Sequence, residues 1–151
     1  MRSKLIIPHK PFSVNSMTYR DKRHKTPEFS NWCRLIQEHL RSDKNQEVLK
    51  NLREHFKPES HAFSVDLTFY YPHEILFTRK NMVSAKAHDL SNIEKPLIDI
   101  VFLPQFHKSC NNLNIDDKYI LNLTSKKRTL EEHLIEVWIE IIDTSSFFGA
   151  P

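Results

Sequence analysis

The chain has 151 residues, with 22 Lys/Arg against 19 Asp/Glu and a single glycine, Gly149. That length predicts one domain whose core needs no disulfides. A lone tail glycine excludes a phosphate-cradling loop or a dinucleotide fingerprint, since both need several residues without a Cβ, so no nucleotide cofactor is expected. No apolar run is long enough to cross a membrane, and the basic start MRSKLIIPHKPF lacks the apolar stretch of a signal peptide. Cys33 and Cys110 fit no paired spacing, so reduced thiols in a cytoplasmic protein are expected. Charge is uneven: residues 1–60 carry 13 Lys/Arg against 7 Asp/Glu, and residues 61–151 carry 9 against 12. That suits a polyanion held near an acidic metal site, and equally a merely soluble surface.

Lys4 to Ile7 reads as a first strand, stopped by Pro8 and Pro11, and residues 12–25 as a polar, basic loop. Thr26-Pro27 is a helix start, a capping residue followed by proline in the first turn. Phe29, Trp32, Leu35, Ile36 and Leu40 then keep helical spacing. SDKN at 42–45 interrupts, and Val48, Leu49, Leu52 and Phe56 resume it, giving one long helix or two. Phe63, Val65, Leu67 and Phe69 alternate with polar residues as in a half-buried strand, ended by Pro72. Residues 73–88 read as a loop carrying Arg79, Lys80, Lys86 and His88. The stretch HDLSNIEKPLIDIVF follows, with Leu90, Ile93, Leu97, Ile100 and Val101 on one helical face. Ser91 and Glu94 have capping-box spacing, and Pro96 predicts an irregular first turn or a kink. Pro104 stops this helix. After a loop at 103–115, Tyr119–Leu123 and Leu134–Ile142 read as two strands, joined by a link holding Lys126, Lys127 and Arg128. The order is β-α(α)-β-α-β-β: an α/β (α+β) domain with a mixed sheet of about four strands and helices packed on it, over residues 1–143, followed by a tail at 144–151.

Asp89 stands at the mouth of a helix and Asp116-Asp117 before a strand. A helix that packs back on its sheet can bring those points together. Clustered carboxylates are the usual ligands of Mg²⁺, which polarises a phosphate and generates hydroxide at neutral pH. Lys95, past the entrance turn, could balance charge developing on phosphate oxygens. The bland alternative makes Asp89 a helix cap and Asp116-Asp117 a turn opener. His88 is the histidine placed to act as base or phosphate contact; His24, His39, His55, His61, His73, His107 and His133 read as solvated or partly packed. Lys126, Lys127 and Arg128 could touch phosphates or form a solvated hairpin tip.

DLSNIEKPLIDIVF followed by LNIDDKYI resembles the RusA-type Holliday-junction resolvases, endonucleases common in phages and prophages. Their hallmark is an Asp-x-Asp-Asn turn opening a helix, a Lys four residues after the second Asp, an Asp in mid-helix and a later Asp-Asp before a strand. Asp89, Asn92, Lys95, Asp99, Asp116 and Asp117 match it. The segment IIPHKPFSVNSMTYR is similar to the family's opening strand, proline-rich turn and Asn/Tyr/Arg loop, which includes Arg20. The resemblance covers nearly the whole chain, with about thirty residues specific.

The resemblance implies a homodimer that cuts a four-way DNA junction by paired, Mg²⁺-dependent phosphodiester hydrolysis, with Mn²⁺ as a substitute. Asp89 and Asp117 carry over as metal ligands and Lys95 as the catalytic lysine. Asp116, Asp99 and Ser91 are supporting metal positions. DNA contacts are expected from Arg20, Arg79, Lys80, Lys86, His88, Lys126 and Lys127. Dimer contacts are expected on a helix face carrying Trp32 or at Phe147-Phe148. Two departures stand out. Ser91 replaces the typical second aspartate of the turn, removing one negative charge. The loop LPQFHKSCNNLNI replaces a short glycine-containing link. They leave two alternatives: a RusA-fold protein that binds branched DNA without cutting, and a structure-dependent nuclease of broader specificity.

Overall fold

The computed structural model describes residues 1–13, 26–104 and 111–149. Four strands, β1 (Arg2–Ile7), β2 (His61–Tyr71), β3 (Ile120–Thr129) and β4 (Leu134–Asp143), form one mixed sheet in the order β1-β4-β2-β3. Four helices accompany it: α1 (Pro27–Leu40), α2 (Asp43–His55), the single turn α3 (His73–Leu76) and α4 (Leu90–Phe102). Among the described residues, no helix is long and apolar enough to cross a membrane.

The interrupted helical pattern resolves into two helices, each with its own cap. Thr26 Oγ1 accepts the Phe29 amide at 3.2 Å to start α1, and Ser42 Oγ accepts the Asn45 amide at 3.3 Å to start α2. Phe29, Trp32, Cys33, Ile36 and Leu40 make the buried stripe of α1. Trp32 is therefore internal rather than a dimer contact, and its indole N–H donates to the Lys10 carbonyl at 2.9 Å. The buried amide of Asn45 ties α2 to the β1 backbone, donating to Ile6 O at 2.8 Å and accepting from Ile6 N at 3.2 Å.

One face of the sheet is apolar and lies under the helices: Leu5 and Ile7, Phe63, Val65, Leu67 and Phe69, and Ile135, Val137 and Ile139 are all buried. The period-two pattern leaves the other face polar. There Lys4 pairs with Glu136 at 3.3 Å, Tyr70 donates to Glu136 at 2.8 Å, and Arg2 lies 4.1 Å over the Trp138 ring. The result is two layers, helices on sheet, with one sheet face open.

The last two strands depart from expectation. β3 runs parallel to β2, while β4 pairs antiparallel with both β1 and β2. β3 and β4 are adjacent in sequence but are no hairpin, because β2 stands between them. β3 is also longer than expected, so Lys126, Lys127 and Arg128 belong to the strand and not to a hairpin tip. A parallel β2/β3 pair requires a crossover, and α4 supplies it. This topology decides where the candidate residues lie.

Candidate metal and nucleic-acid site

α4 runs back from the end where β2 finishes to the end where β3 begins. Asp89 is its N-cap residue, in extended conformation and without a side-chain cap bond. Ser91 is therefore the second helical residue, and the capping box does not form. Glu94 turns to the sheet instead, where its carboxylate accepts the hydroxyl of Ser125 on β3. The first turn is tight, with Asn92 N donating to Asp89 O at 3.1 Å, and the helix continues as one element through Pro96. Asp89 and Ser91 are both exposed, presenting hard oxygen donors of the kind Mg²⁺ takes.

Ser91, Lys95 and Asp99 follow each other at four-residue spacing and share one stripe of α4. Lys95 Nζ lies 3.4 Å from Asp99 Oδ2, with the lysine side chain 68% exposed and the aspartate 8%. Lys95 is thus partnered down the helix, on the Ser91 side of it. Asp99 is buried, ten residues from Asp89 and about 15 Å along the axis at 1.5 Å per residue.

The second acidic group is fixed at the other end of α4. Leu113 N donates to Val101 O at 2.8 Å and Ile115 N to Phe102 O at 3.0 Å. The buried Asn112 amide donates to Ile100 O at 3.0 Å and Leu103 O at 2.8 Å, satisfying carbonyls of the last turn. Asn114 takes a left-handed conformation, φ 60°, which asparagine tolerates. Asp116 then caps a 3₁₀ turn, Asp117–Tyr119, by accepting the Lys118 amide at 2.8 Å. Asp117 is half-buried and Asp116 exposed.

Asp89 and Asp117 therefore stand beyond opposite ends of a 13-residue helix that is about 20 Å long at 1.5 Å per residue. Packing α4 on the sheet separates them within one chain, contrary to the expectation that it would bring them together: a crossover between parallel strands must traverse the sheet's full height. Among the described residues, no group of three or more His, Cys, Asp or Glu is arranged to hold a metal ion. The donors fit Mg²⁺ chemically, but α4 lies between Asp89 and Asp117 within the chain.

Positive charge lies at the same end of the sheet as Asp89. Lys127 Nζ donates to the His88 carbonyl at 2.6 Å, clamping β3 to the helix mouth. The 72–88 connection leaves β2 at this same end and carries Arg79, Lys80 and Lys86, all exposed. Lys126 is exposed beside Lys127 on β3, on the opposite face of the strand. Tyr71, at the end of β2, has its hydroxyl 3.4 Å from His88 Nδ1 and its ring 5.4 Å from the His133 ring. Burial pushes the Tyr71 phenol up to about 12, so it remains an O–H donor. His133 is held below its ordinary pKa by burial, then by the nearby Lys10, His9 and His88. His39, whose ring is 5.9 Å from that of His9, is lowered by burial and by His9.

Lys10 and Tyr71 carry no signal in the sequence, and His133 reads there only as solvated or partly packed. They come from the ends of three different strands, and no spacing in the chain connects them. Arg20 lies outside the described residues. No family model matches the chain, and a search of curated proteins returns no match.

Proposed function

We propose that this protein is a metal-dependent, structure-specific DNA endonuclease of the RusA type. In this reading it acts as a homodimer on four-way junctions, and each centre draws Asp89 from one chain and Asp117 from the other. The observation that carries it is Lys127 bonded to the His88 carbonyl at the Asp89 helix mouth, at the end where the parallel strands finish and where the connection carrying the exposed Arg79, Lys80 and Lys86 departs. Such an end is where α/β sheets receive ligands, and a helix N-terminus adds favourable potential for phosphate. Lys126, Lys127, Lys80 and Lys86 would neutralise backbone phosphates, and Lys95 would face the scissile group from the Ser91 side. Mg²⁺, when bound, would polarise the phosphate and lower the pKa of an attacking water. The charge removed at Ser91 favours the second reading, a junction-binding protein that does not cut.

The test is nicking of a synthetic four-way junction with Mg²⁺ or Mn²⁺, by the parent, by Asp89→Asn and by Asp117→Asn. Each variant should lose more than about 100-fold in rate, since several kcal/mol of charge stabilisation go with one ligand, while junction binding persists. Mixing the two inactive variants should restore nicking to about a quarter of the parental level, because a random two-fold dimer rebuilds one intact centre in half its molecules. No recovery in reassorted dimers would refute the two-chain centre. Parental nicking by either variant would refute the ligand assignment. A parent that binds junctions but never cuts them belongs to the second reading, and equal cleavage of linear duplex to the broader nuclease.

A further inference from the structure

The outer edge of β3 is long, terminal and unusually open. All but three of its ten residues are exposed, and Leu121 and Leu123 remain 52% and 39% accessible. Both leucines project on the helix side of the sheet, as does Ser125, whose hydroxyl bonds Glu94 of α4, yet they stay accessible. An edge of this kind offers unpaired N–H and C=O groups to another strand. The charges on the strand say which one. Asp116 and Asp117 precede it, and Lys126, Lys127 and Arg128 close it.

We infer that β3 is a self-pairing edge: two copies of the chain join by antiparallel β3–β3 hydrogen bonding about a two-fold axis near Asn122. Antiparallel self-pairing sets the acidic start of each strand toward the basic end of the other. A parallel arrangement would set like charges together. Centred on Asn122, the pairing puts Leu121 of each chain opposite Leu123 of its mate, so the four exposed leucines cover one another between the two α4 helices. The interface is isologous and closes at two chains. A continuous eight-stranded sheet results, with no free edge at β3. The inference rests on the edge and its charges alone, and its readout is mass and cross-linking, so it stands or falls separately from cleavage.

Light scattering of the full chain at tens of micromolar should give the dimer mass. Leu121→Glu, a change at a half-exposed position, should leave the circular dichroism spectrum intact and raise the dimer dissociation constant more than 100-fold, because two charges then face apolar partners. Asn122→Cys should form an intermolecular disulfide under mild oxidation far faster than Thr129→Cys, since only the residue on the axis meets its own copy. A monomeric parent, or a dimer that Leu121→Glu leaves unchanged, overturns the interface. A dimer dissociated by Leu121→Glu but with Thr129→Cys cross-linking faster overturns the Asn122 register.

Discussion

The two ends of α4 differ in what they offer a phosphate. At the N-terminal end Asp89 sits near Lys127 and His88 on an exposed helix mouth, with Glu94 one turn in and bonded to Ser125. At the C-terminal end two carboxylates sit together on a turn pinned by Asn112 and by backbone bonds to the last residues of the helix. The first can attract a polyanion but is short of metal ligands. The second has acidic oxygen on a turn held by Arg53, which donates to the Asn112 carbonyl at 3.0 Å, with Lys118 beside it. Neither is a nuclease centre alone, and the proposed centre takes one carboxylate from each of two chains.

Adding the missing charge sharpens this contrast most. Ser91→Asp should tighten Mg²⁺ binding by about tenfold or more, since a carboxylate a few ångströms from the cation outweighs a neutral hydroxyl. Calorimetry would measure it, with Asn114→Asp at the other end as the comparison. Fold stability should not suffer, because aspartate is favourable in a helix's first turn. Unchanged affinity would mean that Ser91 faces away from any ion and that the turn is structural.

A smaller effect is expected from Lys127→Ala. Junction binding should weaken several-fold, and the slope of log affinity against log salt should shrink by about 0.9, the signature of one lost phosphate contact. Lys118→Ala, beside Asp116, should change neither. Equal effects from the two lysines would erase the distinction between the ends.

The smallest effect is on stability against pH, and it too separates regions. His133 and His39 resist protonation in the fold, whereas the unfolded chain takes protons below about pH 6.5. Their contribution is complete above that pH and is lost as pH falls through the depressed folded values. Asp143, at the far end of the sheet, is lowered by hydrogen bonds from the Ser145 backbone and side chain. Its contribution is present above pH 3.8 and is lost as pH falls below that. Thermal melts from pH 7.5 to 5.5 should therefore show a falling Tm that His133→Asn flattens and Asp143→Asn does not. A pH response in that window that His133→Asn leaves intact would remove the imidazoles as its source.

Local chemistry was readable along the chain. Thr26-Pro27 marked the start of α1, and the alternation from Phe63 to Phe69 marked β2. Ile93, Leu97, Ile100 and Val101 of the expected α4 face are buried, with Leu90 partly so and Pro96, Ile98, Asp99 and Phe102 buried beside them. The interruption at 42–45 proved to be a new cap, because Ser42 competes for the backbone better than a continuing helix would. The strand after Asp117 was seen but cut short. Its polar half, Lys126 to Arg128, lies on an edge where burial imposes no apolar pattern. Capping-box spacing at Ser91 misled because Asp89, two residues earlier, already provides the extended N-cap.

By itself the sequence determined where α1, α2, β2 and α4 form and which residues carry charge and oxygen donors, since these follow from periodicity, capping and side-chain chemistry within a few residues, but it read the α3 turn as loop and β3 too short. Pairing of β3 beside β2 rather than β4 was a tertiary decision. It depends on contacts between residues more than fifty positions apart, which no local pattern encodes. That pairing made α4 a crossover, and a crossover must span the sheet. So the carboxylates that look like one cluster in the sequence stand at opposite ends of a helix, and Lys127 and His88, far apart in the sequence, meet at one of them.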